Sequence, residues 1–212
     1  MLAKVFPFAL LFQGLIFSTS LAQEYPNEMV EGKYTDFGIN LTFTTWSSPY
    51  GFTFGLALSD KTGYTGLIRC QSSTNKSERK GWCGLSHGPS MLQNLLLVLW
   101  PSSSSSTSSH QNTIQTSFRQ ATDYFMPEPY PSSQSPPSIQ KLSEWVNSTG
   151  FELIYQCQGC ILSGIDDDTE SNTTTTLNLG YAMSFDAPVT NNGEIIELGF
   201  HDEAYGTWDA LL

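Results

Sequence analysis

Apolar residues in this chain come in short runs that turn residues keep interrupting. Ile39–Trp46, Phe52–Leu58, Gly63–Cys70, Leu95–Trp100, Thr113–Ala121, Phe151–Gln156, Leu177–Phe185 and Ile195–Leu198 are rich in Thr, Phe, Tyr, Leu and Val. Gly, Pro, Asn and Ser stand between them. Asn40-Leu41-Thr42-Phe43-Thr44 alternates polar with apolar residues. Alternation sends successive side chains to opposite faces of a strand, and many short strands broken by turns pack as a sandwich or barrel. No long segment keeps a helical repeat. The only modest helix candidates are Ser138–Val146 and Ala204–Leu212. The expected fold is all-β, an antiparallel β-sandwich, with residues 23–36 irregular.

Three segments cannot bury apolar surface and read as loops. Pro101–His110 is mostly serine, and it joins the runs Leu95–Trp100 and Thr113–Ala121 as a long hairpin connection. Pro127–Pro137 is rich in Pro and Ser, and Asp166–Thr176 is acidic and then threonine-rich.

The N-terminus reads as an export signal. Lys4 is followed by an apolar run from Val5 to Phe17, and Ser20-Leu21-Ala22 places small residues where a signal peptidase cuts. Residues 1–22 are thus expected to be a signal peptide and residues 23–212 one secreted, extracellular domain. Export permits disulfides, and four cysteines allow three pairings; the most local one, Cys70 with Cys83 and Cys157 with Cys160, is favoured. Asn40, Asn75, Asn147 and Asn172 each begin an N-x-S/T glycosylation sequon. The formal charge is −11 with only nine Lys and Arg, which disfavours nucleic acid and anionic membranes as partners.

Three constellations could carry chemistry. Gly84-Leu85-Ser86-His87-Gly88 is formally G-x-S-x-G, so Ser86 could be an esterase nucleophile with His201 and Asp166–Asp168. That motif needs a strand-to-helix elbow, and the α/β alternation around it is missing. Cys157-Gln158-Gly159-Cys160 could be a redox pair, half a metal site or a bridge. No βαβ pattern and no second C-x-x-C accompany it, which favours a structural disulfide. Met91 and His201 are a thioether and an imidazole, and alone each reads as core filler or a loop residue.

Taken together, ordered segments resemble the cytochrome domain of fungal cellobiose dehydrogenase. Gly81-Trp82-Cys83-Gly84-Leu85-Ser86-His87-Gly88-Pro89-Ser90-Met91 with Asn94–Trp100 is similar to that family's haem-binding region. Ser117–Tyr124 with Pro127 and Tyr130 looks like its R-x-A-T-G-Y-x-x-P-x-x-Y stretch, and Asn147-Ser148-Thr149 with Cys157–Cys160 looks like its N-S-T and C-Q-G-C. The resemblance covers Phe37 to Trp208. It implies an immunoglobulin-like DOMON β-sandwich with one haem b at one end, and Met91 and His201 as axial iron ligands. It also implies the disulfide Cys157–Cys160. Trp82 and Tyr124 become candidates to line the haem, and Asp202 a candidate to orient the imidazole.

Met/His ligation leaves no open iron position, which suits electron transfer rather than oxygen activation. By analogy the electron donor is an extracellular flavin-dependent sugar dehydrogenase, and the acceptor a copper polysaccharide oxygenase or ferric iron. The rival reading is a haem-free DOMON-like module that binds carbohydrate or protein. Ser86-His87 and Pro89-Ser90 depart from the family, which is glycine-rich there, and His87 offers a second imidazole near Met91.

Overall fold

The structure is a computed structural model that describes residues 29–60, 63–71, 81–102, 113–131, 137–160, 176–191, 194–201 and 204–211. Residues 1–22, Asn75, Asn172, Asp166–Asp168, Asp202 and all but the first two residues of the serine tract lie outside the described residues. The strands are β1 (Val30–Asp36), β2 (Leu41–Ser47), β3 (Phe52–Asp60), β4 (Gly63–Gln71), β5 (Trp82–Ser86), β6 (Leu95–Pro101) and β7 (Ile114–Gln120). After them come β8 (Glu128–Pro129), β9 (Ser138–Val146), β10 (Gly150–Gln158), β11 (Thr176–Ser184), β12 (Val189–Asn191), β13 (Glu194–Glu197) and β14 (Ala204–Leu211). Sheet one has the order β1-β2-β3-β4-β10-β9 and sheet two the order β14-β11-β5-β6-β7-β8, while β12 and β13 form a separate hairpin. Among the described residues, neighbouring strands in these sheets pair antiparallel, as in a sandwich of short strands.

Alternation builds the main core between the sheets. Phe52, Phe54, Tyr64, Ile68, Leu153 and Tyr155 face inward from sheet one, and Leu85, Leu97, Leu99, Leu179, Tyr181 and Trp208 meet them from sheet two. The Cys70–Cys83 disulfide ties β4 to β5 and so joins the two sheets, and Cys157–Cys160 closes the turn after β10. One polar cluster sits inside this core. Tyr64, Tyr155 and His87 are all buried, with Tyr64 Oη 2.7 Å from His87 Nε2 and 3.2 Å from Tyr155 Oη.

Both helix candidates are strands. Ser138–Val146 is the edge strand β9, and its register against β10 shifts between Ile154 and Tyr155, so Leu142 has no partner. That bulge turns the apolar spacing of Ile139, Leu142 and Trp145 into something close to a helical repeat. In β14, Ala204, Trp208 and Ala210 are buried while Tyr205, Thr207 and Asp209 are exposed, a period of two. Residues 30–36, expected to be irregular, form β1 on the free edge of β2, where Tyr34 stacks on Phe43 at 6.4 Å.

Sheet two is apolar on its outer face as well. Trp82, Val98, Trp100 and Ile195 form a second buried cluster, joined by Ala182 and Leu198. Leu96 through Trp100 of β6 are therefore all buried, the signature of a strand covered on both sides.

Two expectations follow. Replacing Cys70 and Cys83 together by serine opens a short covalent loop and lowers unfolding free energy by about 3 kcal/mol. Equilibrium denaturation with unchanged stability would contradict the role of this bridge between the sheets. Burial pushes the His87 pKa down from 6.5 to about 4. The unfolded chain therefore holds more protons on this residue between those values, and stability falls as pH drops from about 6.5 towards 4. Wild-type protein should lose about 3 kcal/mol more across that window than His87→Gln; denaturation curves with equal pH slopes would refute this.

Candidate functional site

The outer face of sheet two carries a floor of small residues. Cross-strand pairing places Val98, Gly84, Ala182 and Tyr205 in one row, and Leu96, Ser86, Gly180 and Thr207 in the next. The centre of both rows holds only Gly84, Ala182, Ser86 and Gly180, between the bulk of Leu96 and Val98 on one side and Tyr205 on the other. A Cβ on Gly84 would meet nothing of its own chain closer than 3.4 Å, so the packing of the chain does not by itself demand glycine there. Trp82 is buried at one end of this floor, and its Nε1 has no hydrogen-bond partner among the described residues.

Met91 comes to this face on the turn between β5 and β6. The Ser86 hydroxyl points outward and donates to Ser90 O at 2.6 Å, which folds the turn back over sheet two. Asn94 Nδ2 donates to Ser90 O at 2.9 Å and to Leu92 O at 3.1 Å. Gln93 N donates to Ala121 O at 2.7 Å, tying the far side of the turn to the end of β7. Gln93 has φ of 62°, the left-handed region that such a reversal uses. Gly88 is required for a different reason, since a Cβ there would lie 2.2 Å from the Asn94 side chain. The Met91 backbone is thus held on both sides, and its side chain is half-buried.

His201 comes from the segment between β13 and β14. Its ring stacks on Phe200 at 4.3 Å and lies 4.8 Å from Tyr205, which is in the Gly84–Ala182 row. His201 Nδ1 is buried without a hydrogen-bond partner among the described residues. Two residues that sequence reasoning passed over fix this segment. Arg119 is buried on β7 and donates to the carbonyls of Pro127 and Ile195. Leu198 N donates to Met126 Sδ at 3.3 Å. Arg119 and Met126 clamp the Ala121–Tyr130 segment and the β13 region together. A cation in a half-helpful motif and a lone Met carried no signal of that task.

Of the four expected lining and ligand residues, Met91, His201 and Trp82 border the same outer face. Tyr124 is 85% exposed at a surface turn, beside Phe125 at 79%. Phe200 and Tyr205 are also largely exposed, at 74% and 61%. Tyr124 and Phe125 directly precede Met126 in the chain, Phe200 follows Leu198, and Tyr205 lies against His201.

Residues that fit a haem are therefore present. A thioether and an imidazole arrive from separate elements, two buried ring nitrogens lack partners among the described residues, and the floor beneath them is kept small. The competing readings lose their geometry. Ser86 lies in a strand followed by a turn, not a helix, and its hydroxyl is engaged with Ser90 O rather than a histidine. His87 points into the inter-sheet core towards Tyr64, away from the outer face. Cys157 and Cys160 are bonded to each other.

Comparison with known proteins agrees. The family model for the cytochrome domain of cellobiose dehydrogenase matches residues 34–212. The solved cytochrome domain of Myriococcum thermophilum cellobiose dehydrogenase is 33% identical, with a TM-score of 0.67 over 86% of this chain and 88% of that one. The cytochrome b domain of pyranose dehydrogenase from Coprinopsis cinerea is 23% identical, with a TM-score of 0.64 over the same shares, and bears on the fold alone. The family implies a haem cofactor and electron exchange with a dehydrogenase. This chain belongs to the family of the cytochrome domain of cellobiose dehydrogenase.

Proposed function

We propose that this protein is a secreted b-type haem electron carrier in which Met91 and His201 would hold the haem iron. The observation that carries the reading is their approach, from separate elements, to the one sheet face with a small-residue floor. A haem held by two protein ligands supplies one-electron chemistry at an iron with no open position. The Met91 thioether favours the ferrous state relative to a second imidazole, and the His201 ring is steadied between Phe200 and Tyr205. Gly84, Gly180 and Ala182 leave the macrocycle room, and Trp82 Nε1 is an available donor for one of its polar groups. Exposed Tyr124, Phe125, Phe200 and Tyr205 give the site an apolar rim through which electrons reach a partner.

The donor in this reading is an extracellular flavin-dependent sugar dehydrogenase, and the acceptor is a copper polysaccharide oxygenase or ferric iron. Removing Lys4 with the signal peptide takes the formal charge from −11 to −12, so docking to a partner that is itself acidic would be slower at low salt and faster as salt screens it. Asn40 and Asn147 are exposed, as glycosylation of their sequons on the export route requires. The same exposed aromatics would serve the rival, a haem-free module that binds carbohydrate or protein.

One spectrum separates the two. The chain starting at Gln23, expressed with haem available, should show low-spin b-type bands in its reduced-minus-oxidised spectrum. Met91→Ala and His201→Ala should each abolish that low-spin signature while the β fold persists by circular dichroism. A folded, colourless protein that takes up no haem would favour the binding module instead.

A further inference from the structure

The Met91 turn has an anchor on the opposite sheet. His87 opens the turn, is 2% exposed, and lies four residues before Met91. Its backbone N donates to Leu95 O at 2.9 Å, and its Nδ1 lies 3.0 Å from the same oxygen. A carbonyl only accepts, so Nδ1 carries the proton and Nε2 is the bare acceptor. Tyr64 Oη, 2.7 Å away, therefore donates to Nε2, and Tyr155 donates to Tyr64. Tyr64 is on β4 and Tyr155 on β10, both in sheet one, whereas His87 extends from β5 of sheet two. One imidazole thus closes the base of the turn at Leu95 and crosses the core to the other sheet.

We infer that His87 is a positioning residue for Met91, fixing the turn that bears the ligand through Leu95 and Tyr64. The inference rests on Met91 being the axial ligand. A weak iron–thioether bond survives only if the turn already holds the sulfur near the iron, since ordering a loose loop opposes the bond. Glycine-rich sequence can reach such a shape by backbone freedom alone. This turn reaches it with Ser86, Ser90 and Asn94 bonded around Ser90 O, and with His87 as the link to the rest of the core. An unmet buried ring nitrogen would be unfavourable, so the pair with Tyr64 selects one turn conformation over its neighbours.

The test uses His87→Phe and Tyr64→Phe, the second removing a single oxygen from the opposite sheet. Phe52→Ala serves as the control, because it loosens the same core through ring contacts with Tyr181 and Trp208 rather than with Tyr64 or His87. In the ferrous haem protein, both test variants should bind carbon monoxide at the position Met91 vacates and show a lowered midpoint potential. Wild type and Phe52→Ala should stay closed to it. In the haem-free protein, amide exchange at Gln93 should quicken about tenfold in the test variants, as one lost hydrogen bond would produce. Test variants that stay closed to carbon monoxide with unchanged exchange overturn the positioning role. So does a Phe52→Ala protein that opens equally, since general loosening would then suffice. If Met91→Ala leaves the wild-type spectrum unchanged, the ligand assignment itself fails and takes this inference with it.

Discussion

Everything at the site depends on sheet two being buried on both faces. An antiparallel sheet normally offers water one polar side, and its strands then alternate. Here β6 is apolar from Leu96 to Trp100, because Leu97 and Leu99 fill the core between the sheets while Val98 and Trp100 meet Trp82 and Ile195 outside it. The second cluster gives the β12–β13 hairpin and the segment before β14 something to pack on. Without it, nothing would bring His201 to the face that the Met91 turn folds over. The small centre of that face, Gly84 with Ala182 and Ser86 with Gly180, is then the part that packing leaves open.

Polar atoms do the fine positioning, and each has an identifiable partner. Ser90 O gathers donors from Ser86 and Asn94, Arg119 joins two segments through their carbonyls, and Met126 accepts from Leu198. Buried donors and acceptors favour one arrangement strongly, because any other leaves them unmet. Among the described residues, the ring nitrogens of Trp82 and His201 and the Nε of Arg119 are buried on this face without a partner. In the proposed reading the two ring nitrogens stand where a bound group would meet them.

Much of this was legible in residue order, and the remainder had physical reasons to be hidden. The short apolar runs located most strands, since a two-residue period survives wherever one face is wet. It failed at β9, where the bulge at Leu142 broke the period, and at β14, where Ala204 and Trp208 lie four apart and imitate a helix turn. β1 was missed because an edge strand with one weakly covered face has little apolar content. β5 was seen as a motif rather than a strand, since Gly84 and Ser86 interrupt its pattern for the sake of the floor. Met91, His201, Trp82 and Tyr124 are singled out by a family resemblance, not by spacing. That Tyr124 stands exposed depends on the path of a turn, which residue order does not reveal. His87 looked like a rival ligand; only the register of β5 shows that it faces the other way.

The claim that matters most is that Met91 supplies the sulfur at the iron. The chain has five methionines, and Met126 also stands at this face. Methyl-labelled methionine in the reduced, diamagnetic haem protein distinguishes them by nuclear magnetic resonance, because a methyl directly above a porphyrin is moved far upfield. The account predicts one such methyl, and its disappearance in Met91→Leu. A spectrum with no shifted methyl, or one whose shifted signal belongs to Met126, would contradict it.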